Sequence, residues 1–313
     1  WIGHHSSLTF STVMYSSSKL EFAVSPFENE ASNDEVVPTR AEENRNATEE
    51  HMGTILLVIT LSNIWSLVLV SVPVITSVGS NNLYKYDGWY RGDDILRIIE
   101  PVGGLVFNFW IFQSSGIFLK HYSRELQVAS IIFMIGAAMY CQGGGLHTAS
   151  NMFKHPIEDY KKMNPDKYLT DLMYWMRTVW QHIISHYIYA SGYALMSAMQ
   201  AWAFKDVVLL QTPPQKMTTL RALIIFNAVL FALLLSGVAI DFPSGLIVGF
   251  LYIGLYGFGI IGRYVYLKDN LTASEFGKRP VLHYFLLSYV LALLIMAIWC
   301  ASVGGLKKLH DVM

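Results

Sequence analysis

Long apolar stretches, separated by short polar segments, make up most of the chain after its first fifty residues. A helix that spans a bilayer needs about 20 consecutive, mostly apolar residues. The stretches that are this long, or nearly so, run roughly over 54–78, 99–119, 127–150, 177–204, 219–240, 244–267 and 281–303. The pattern therefore predicts an all-α, polytopic membrane helical bundle of about seven transmembrane helices, forming a single domain over residues 51–306.

The two ends of the chain differ from this central part. Residues 1–50 are rich in Ser, Asn and Glu and contain no long apolar run, so we expect a disordered polar N-terminal tail. Residues 307–313 form a short C-terminal tail in this interpretation. Asn46 begins a glycosylation tripeptide, Asn-Ala-Thr, whose use stays open. Lys and Arg are spread too evenly over alternate connections to indicate which side of the membrane each connection faces.

Local signals predict how the spans are connected and packed. The pair Asn164-Pro165, together with Pro156, predicts a loop over about 156–170 between the third and fourth spans. The connection 81–97 mixes aromatic and acidic residues, which is typical of a membrane interface. Glycines in the sixth span predict close helix approach there: Gly245, Gly249, Gly254, Gly257, Gly259 and Gly262.

Composition narrows the class of partner. Of the 313 residues, 53% are hydrophobic and 14% charged, whereas globular domains carry about 25% charged residues. Lipid is therefore the expected solvent, and the lipid bilayer the first expected partner. The formal net charge of -1 argues against nucleic acid. Cys141 and Cys300 both lie in apolar runs and are expected to be small core residues. Whether the chain forms a homo-oligomer is left open.

Polar residues recur at helical spacing inside the third and fourth predicted spans. His147, Asn151 and His155 follow one another at intervals of four, as do His182 and His186. Each set lies along one face of a helix. Charged groups at membrane depth cost roughly 2.5–3.5 kcal/mol on insertion scales and tend to face the bundle interior. With Arg177 and Gln181, these residues form the predicted polar intramembrane cluster, which is our candidate functional site.

The cluster has two main interpretations. In the first, its members hydrogen-bond to one another and hold helices together, with no catalytic residue and no metal. In the alternative, His147, His155, His182 and His186 bind zinc, and a zinc-bound water hydrolyses a lipid amide or ester. Neither helix carries Asp or Glu at the level of the histidines, and Arg177 would repel a divalent cation. A third possibility is a lipid or small-molecule carrier, in which the same side chains line a cavity.

Several motifs resemble a known family. These are the apolar run Ser130-Ile-Ile-Phe-Met-Ile-Gly-Ala137, His147-x3-Asn151-x3-His155, Trp175-x6-His182, Arg91-Gly92-Asp93 and Tyr266-Leu-Lys-Asp-Asn270. They are similar to the endoplasmic-reticulum membrane protein family of neuronal ceroid lipofuscinosis, the sixth numbered member of that series. The resemblance covers about residues 90–303. Where the family has an acidic pair and a glycine, this chain has Arg177, Thr178 and Gln181, and a glycine-rich insertion, Cys141 to Gly145, precedes His147.

The resemblance implies a function as well as a span count of seven. It implies a non-enzymatic, multi-pass protein of the endoplasmic-reticulum membrane that helps newly made lysosomal enzymes leave for the Golgi. Membrane cargo-receptor proteins and lysosomal enzymes would be its partners. The metal-dependent hydrolase and the carrier are the alternatives from the residues themselves.

Overall fold

The computed structural model describes residues 40–75, 92–118, 124–163, 166–209, 212–241, 244–267 and 275–307. All regular structure in these ranges is helical, which confirms the all-α prediction. The helices are α1 (Arg40–Ile75), α2 (Gly92–Phe118), α3 (Arg124–Met163), α4 (Lys167–Tyr174), a π-helical segment (Trp175–Ile184), α5 (Ser185–Ala203), α6 (Pro214–Asp241), α7 (Gly245–Leu267) and α8 (Pro280–Val303). Because α4, the π-helical segment and α5 follow one another without a break, the described chain forms seven helical rods.

Six of these helices are long and apolar enough to cross a membrane: α1, α2, α3, α6, α7 and α8. The chain is therefore a multi-pass helical membrane protein. The rod that contains α5, which corresponds to the predicted fourth span, is not one of the six. Only Ser191 and Trp202 of α5 are exposed, because α2 and α3 pack around it. A helix that faces protein rather than lipid can carry more small and polar residues than one that faces lipid.

The ends of three helices differ from the prediction. α1 begins at Arg40, so residues 40–50 of the predicted tail are helical. α2 begins at Gly92, so 92–97 belongs to a helix and not to a connection. The remaining parts of both predicted tails, residues 1–39 and 308–313, lie outside the described ranges.

The third difference is the length of α3, which continues through Pro156 to Met163. Proline removes one backbone donor and crowds the preceding turn, yet long membrane helices tolerate it where neighbours compensate. The residues after Pro156 favour the helix, because Lys161 and Lys162 lie at its carbonyl end. The connection to α4 is therefore short. Asp166 caps α4 by accepting a hydrogen bond from the Tyr168 N–H, at 3.3 Å.

The helices pack around two apolar cores. One core lies among α2, α3 and α5, where the rings of Phe112 and Phe133 stack with their centroids 4.5 Å apart. The larger core lies mainly among α1, α6, α7 and α8 and includes Phe231 and Phe285. α1 contacts both α2 and α6 and so joins the two groups of helices.

Glycine determines how closely α3 and α5 approach. A Cβ atom at Gly143 would lie 2.7 Å from the Tyr189 Cα and 2.8 Å from the Ser185 carbonyl oxygen. On the facing helix, a Cβ at Gly192 would lie 2.8 Å from the Tyr140 Cα. These neighbours are backbone atoms, which cannot rotate away, so only glycine permits this helix separation.

The glycines of α7 behave differently from the prediction. A Cβ at Gly249 would lie 2.9 Å from the Ala239 Cβ, so this glycine does permit a close approach. At Gly259 and Gly262 a Cβ would meet no atom within 4 Å. The expectation of close helix approach is therefore wrong at Gly259 and Gly262, because both are exposed on α7.

Candidate functional site

The third helix brings its predicted polar residues to one buried face. His147, Asn151 and His155 are all buried, with Asn151 1% exposed. Their spacing of four residues is close to one helical turn, so the three side chains form a line. Lys154 lies partly buried beside them and reaches the same interface. This face of α3 packs against the π-helical segment and α5.

The π-helical segment positions the residues that face α3. The Ser185 N–H donates to the Trp180 carbonyl five residues earlier, which is the wider π spacing. The Ser185 hydroxyl donates to the carbonyl of Gln181. Gln181 is the buried residue of the segment, and His182 beside it is partly buried. Because π-helical turns inside α-helices are frequent at functional sites, this segment supports the placement of the site here.

A chain of hydrogen bonds connects three helical elements through side chains. Asn151 donates from Nδ2 to Oδ1 of Asp94 on α2, at 2.6 Å. Gln181 donates from Nε2 to Oδ1 of Asn151, at 3.0 Å. Lys154 donates from Nζ to Oε1 of Gln181, at 3.1 Å. The chain begins at a carboxylate and ends at an ammonium group, so the two amide dipoles are aligned between opposite charges.

The histidines form a row beside this chain. The Arg97 guanidinium of α2 lies against the His147 ring, with Nη1 3.1 Å from Nδ1 and 3.3 Å from Nε2. The His147 and His186 rings stack with their centroids 4.7 Å apart. His182 meets His186 edge to face, at 5.3 Å. The row therefore runs from a guanidinium through three imidazoles.

A third group of polar side chains lies around Glu100, one turn after Arg97 on α2. The Tyr189 hydroxyl lies 2.6 Å from Oε1 of Glu100 and 2.9 Å from the Tyr140 hydroxyl. The Tyr140 and Tyr189 rings pack together with their centroids 4.4 Å apart. Trp65 of α1 donates from Nε1 to the Glu100 carbonyl, at 3.2 Å. Trp65 of α1 and Tyr189 of α5 thus contact Glu100 directly, and Tyr140 of α3 contacts Tyr189.

The structure brings most of the predicted cluster together. The hydrogen-bond chain contains Asn151 and Gln181. The histidine row contains His147, His182 and His186. His155 lies two turns beyond His147 on the same buried face. Arg177 is exposed, and no contact between described residues joins it to the cluster.

The metal alternative depends on convergence of the histidine nitrogens. The rings of His147 and His186 stack face to face, and Arg97 occupies the nitrogen-bearing edge of His147. Among the residues that the structure describes, no three His, Cys, Asp or Glu side chains form a group that could hold a metal ion. The zinc site of four histidines stays a prediction.

The sequence interpretation missed the contribution of α2. Asp94 and Glu100 supply carboxyl groups to the site, and Arg97 supplies a guanidinium. From α3, Lys154 and Tyr140 were also missed. The missed signal is the spacing of three residues between Asp94, Arg97 and Glu100, which places them on one helical face at the start of an apolar segment.

A groove of about 420 Å³ lies at the opposite end of α3, away from the polar site. Val128, Ala129 and Ile132 of α3 and Met199 and Trp202 of α5 form its walls. Residues of the polar cluster do not line this groove, so the carrier alternative gains no support from it.

No family model, curated protein or solved structure matches this chain. The fold and the site are those of a multi-pass helical membrane protein with a buried, charged and hydrogen-bonded site between α2, α3 and the π-helical segment.

Proposed function

We propose that this protein resides in the endoplasmic-reticulum membrane, is not an enzyme, and assists the export of lysosomal enzymes toward the Golgi. The proposal begins from the motifs that resemble the ceroid-lipofuscinosis family. Membrane cargo-receptor proteins and the lysosomal enzymes themselves would be its partners.

The observation that carries the proposal is the hydrogen-bond chain from Asp94 through Asn151 and Gln181 to Lys154. Both ends of each amide side chain are occupied by protein groups, so these amides hold helices together. Asn151 belongs to the motif on which the resemblance rests, and it is the residue that joins α2 to α3 and α3 to the π-helical segment. Such a role suits a scaffold that presents its surfaces to partners.

The experiment is a deletion of the gene followed by re-expression of the full chain. We expect lysosomal enzyme levels to fall without the protein and to recover with it, and we expect the tagged protein to co-localise with an endoplasmic-reticulum marker. Unchanged lysosomal enzyme levels after deletion would contradict the proposed function. Localisation to another membrane would contradict the proposed residence.

The metal-dependent lipid hydrolase is a second candidate, favoured by one observation. The rings of His147, His186 and His182 lie in direct succession, with centroids 4.7 Å and 5.3 Å apart, so three residues of a type that binds zinc are neighbours. The test is the metal content of the purified protein beside a His182→Ala/His186→Ala variant. About one zinc per chain, lost in the variant, would favour this candidate. Equal metal content in both proteins would count against it.

A further inference from the structure

The Tyr189 hydroxyl has two polar neighbours and a single hydrogen to donate. It lies 2.6 Å from Oε1 of Glu100 and 2.9 Å from the hydroxyl of Tyr140, both within hydrogen-bond distance. A phenol donates once and can also accept. The two contacts can therefore both be hydrogen bonds only if Tyr189 donates to one neighbour and accepts from the other.

Each of the two directions corresponds to one protonation state of Glu100. When the carboxyl group is ionised it can only accept, so Tyr189 donates to it and Tyr140 donates to Tyr189. When the carboxyl group is protonated, its O–H can donate to Tyr189, and Tyr189 then donates to Tyr140. Both patterns use the same heavy-atom positions. The chain Glu100–Tyr189–Tyr140 thus accommodates a proton by reorienting hydroxyl groups alone.

The surroundings of Glu100 are suited to a change of charge. Glu100 lies near the start of the candidate membrane span Asp94–Gly116 of α2, and the Tyr189 phenol contacts its carboxyl group. The guanidinium one turn earlier on α2 lies against the His147 ring. From α1 the neighbour is the indole of Trp65. The charged and titratable groups that act on the carboxyl are Arg97 on α2, Tyr140 on α3 and Tyr189 on α5. His147 on α3 contacts Arg97, and His186 on α5 stacks on His147.

We propose that Glu100 is a proton-binding site within the membrane, and that proton uptake reverses the hydrogen-bond chain through Tyr189 and Tyr140. In this step an O–H bond forms at the Glu100 carboxylate, and the proton comes from a hydronium ion of the solvent, which is left as a water molecule. The inference does not rest on the proposed export function.

The experiment is infrared difference spectroscopy of the full chain in lipid nanodiscs while the pH is stepped. We expect a carbonyl stretching band from a protonated carboxyl group to grow as the pH falls. This band should be absent in Glu100→Gln, which keeps the size of the side chain. It should persist in the matched control Glu125→Gln, because Glu125 is exposed and paired with Lys205. A band that Glu100→Gln leaves unchanged would overturn the proposal.

A second variant tests the hydrogen-bond chain in a protein that retains Glu100. Tyr189→Phe removes the hydroxyl that accepts from the protonated carboxyl group, so the band should move to the frequency of a carboxyl group that makes fewer hydrogen bonds. Tyr174→Phe is the control, because Tyr174 is exposed. A band whose frequency is the same in wild type and Tyr189→Phe would overturn the hydrogen-bond chain. If Glu100→Gln fails to fold, this frequency shift still decides the proposal.

Discussion

Replacing Gly143 by alanine tests the contact between α3 and α5 most sharply. The added methyl group would lie 2.7 Å from the Tyr189 Cα and 2.8 Å from the Ser185 carbonyl oxygen. Ordinary carbon contacts begin at about 3.5 Å, so the two helices must separate by several tenths of an ångström. That separation also displaces Tyr189, whose hydroxyl contacts Glu100.

The expected magnitude follows from two opposing effects. Overpacking a tight contact costs about 1–3 kcal/mol, whereas alanine in place of glycine favours a helix by about 0.5–1 kcal/mol. Gly145 is the matched control, because it lies on the same helix and a Cβ there would meet no atom within 4 Å. Gly145→Ala therefore shows the helix-propensity gain alone. The free energies of unfolding of the two variants should differ by about 1–3 kcal/mol, with Gly143→Ala the less stable.

The assay is thermal or denaturant unfolding of both purified variants in the same detergent. We expect the midpoint of Gly143→Ala to fall below wild type, and the midpoint of Gly145→Ala to equal or exceed wild type. If Gly143→Ala were as stable as Gly145→Ala, the close approach of α3 and α5 at this point would be refuted.

Three further changes have definite expected outcomes. Tyr189→Phe leaves a buried carboxyl group without its hydroxyl partner and should lower the free energy of unfolding by about 1–3 kcal/mol. Asn151→Leu and Gln181→Leu should be coupled in a double-mutant cycle, by about 0.6 kcal/mol and at most about 1.7, because their amides bond to each other across helices. Gly249→Ala should destabilise by about 1 kcal/mol, because its methyl group would crowd a neighbouring helix. Unfolding in detergent measures all three.

Each of these changes has its own control. Tyr174→Phe should leave stability unchanged, since Tyr174 is exposed; a loss equal to that of Tyr189→Phe would show that the hydroxyl contact contributes nothing. Additive effects of the two amide substitutions would contradict the hydrogen bond between them. Gly259→Ala should be neutral or stabilising, and a loss as large as that of Gly249→Ala would contradict the placement of α7.

The helices could be predicted because length and hydropathy determine a membrane span by themselves. Six of the seven predicted spans coincide with helices that are long and apolar enough to cross a membrane. The ends of the helices are less predictable, since Pro156 predicts the end of a helix, whereas α3 continues to Met163. Whether one lost backbone hydrogen bond ends a helix depends on the residues and helices around it.

The site could be predicted in part for a related reason. Spacing along one helix places His147 and Asn151 on a common face, and this information is local. The carboxylate that completes the hydrogen-bond chain comes from Asp94 on another helix, and that pairing depends on tertiary packing. The glycines illustrate the same limit. Gly143 and Gly259 both lie in glycine-rich stretches of apolar helices, yet a Cβ would meet backbone atoms at Gly143 and open space at Gly259.

The most direct test of the account is rescue by a pair of glutamine variants in cells that lack the protein. Gln181 is buried in the hydrogen-bond chain, whereas Gln142 is exposed on α3. Gln142→Leu should restore lysosomal enzyme levels as wild type does, and Gln181→Leu should be less abundant and restore them less. Full rescue by Gln181→Leu at wild-type abundance would contradict the claim that the buried polar chain holds the functional arrangement of helices together.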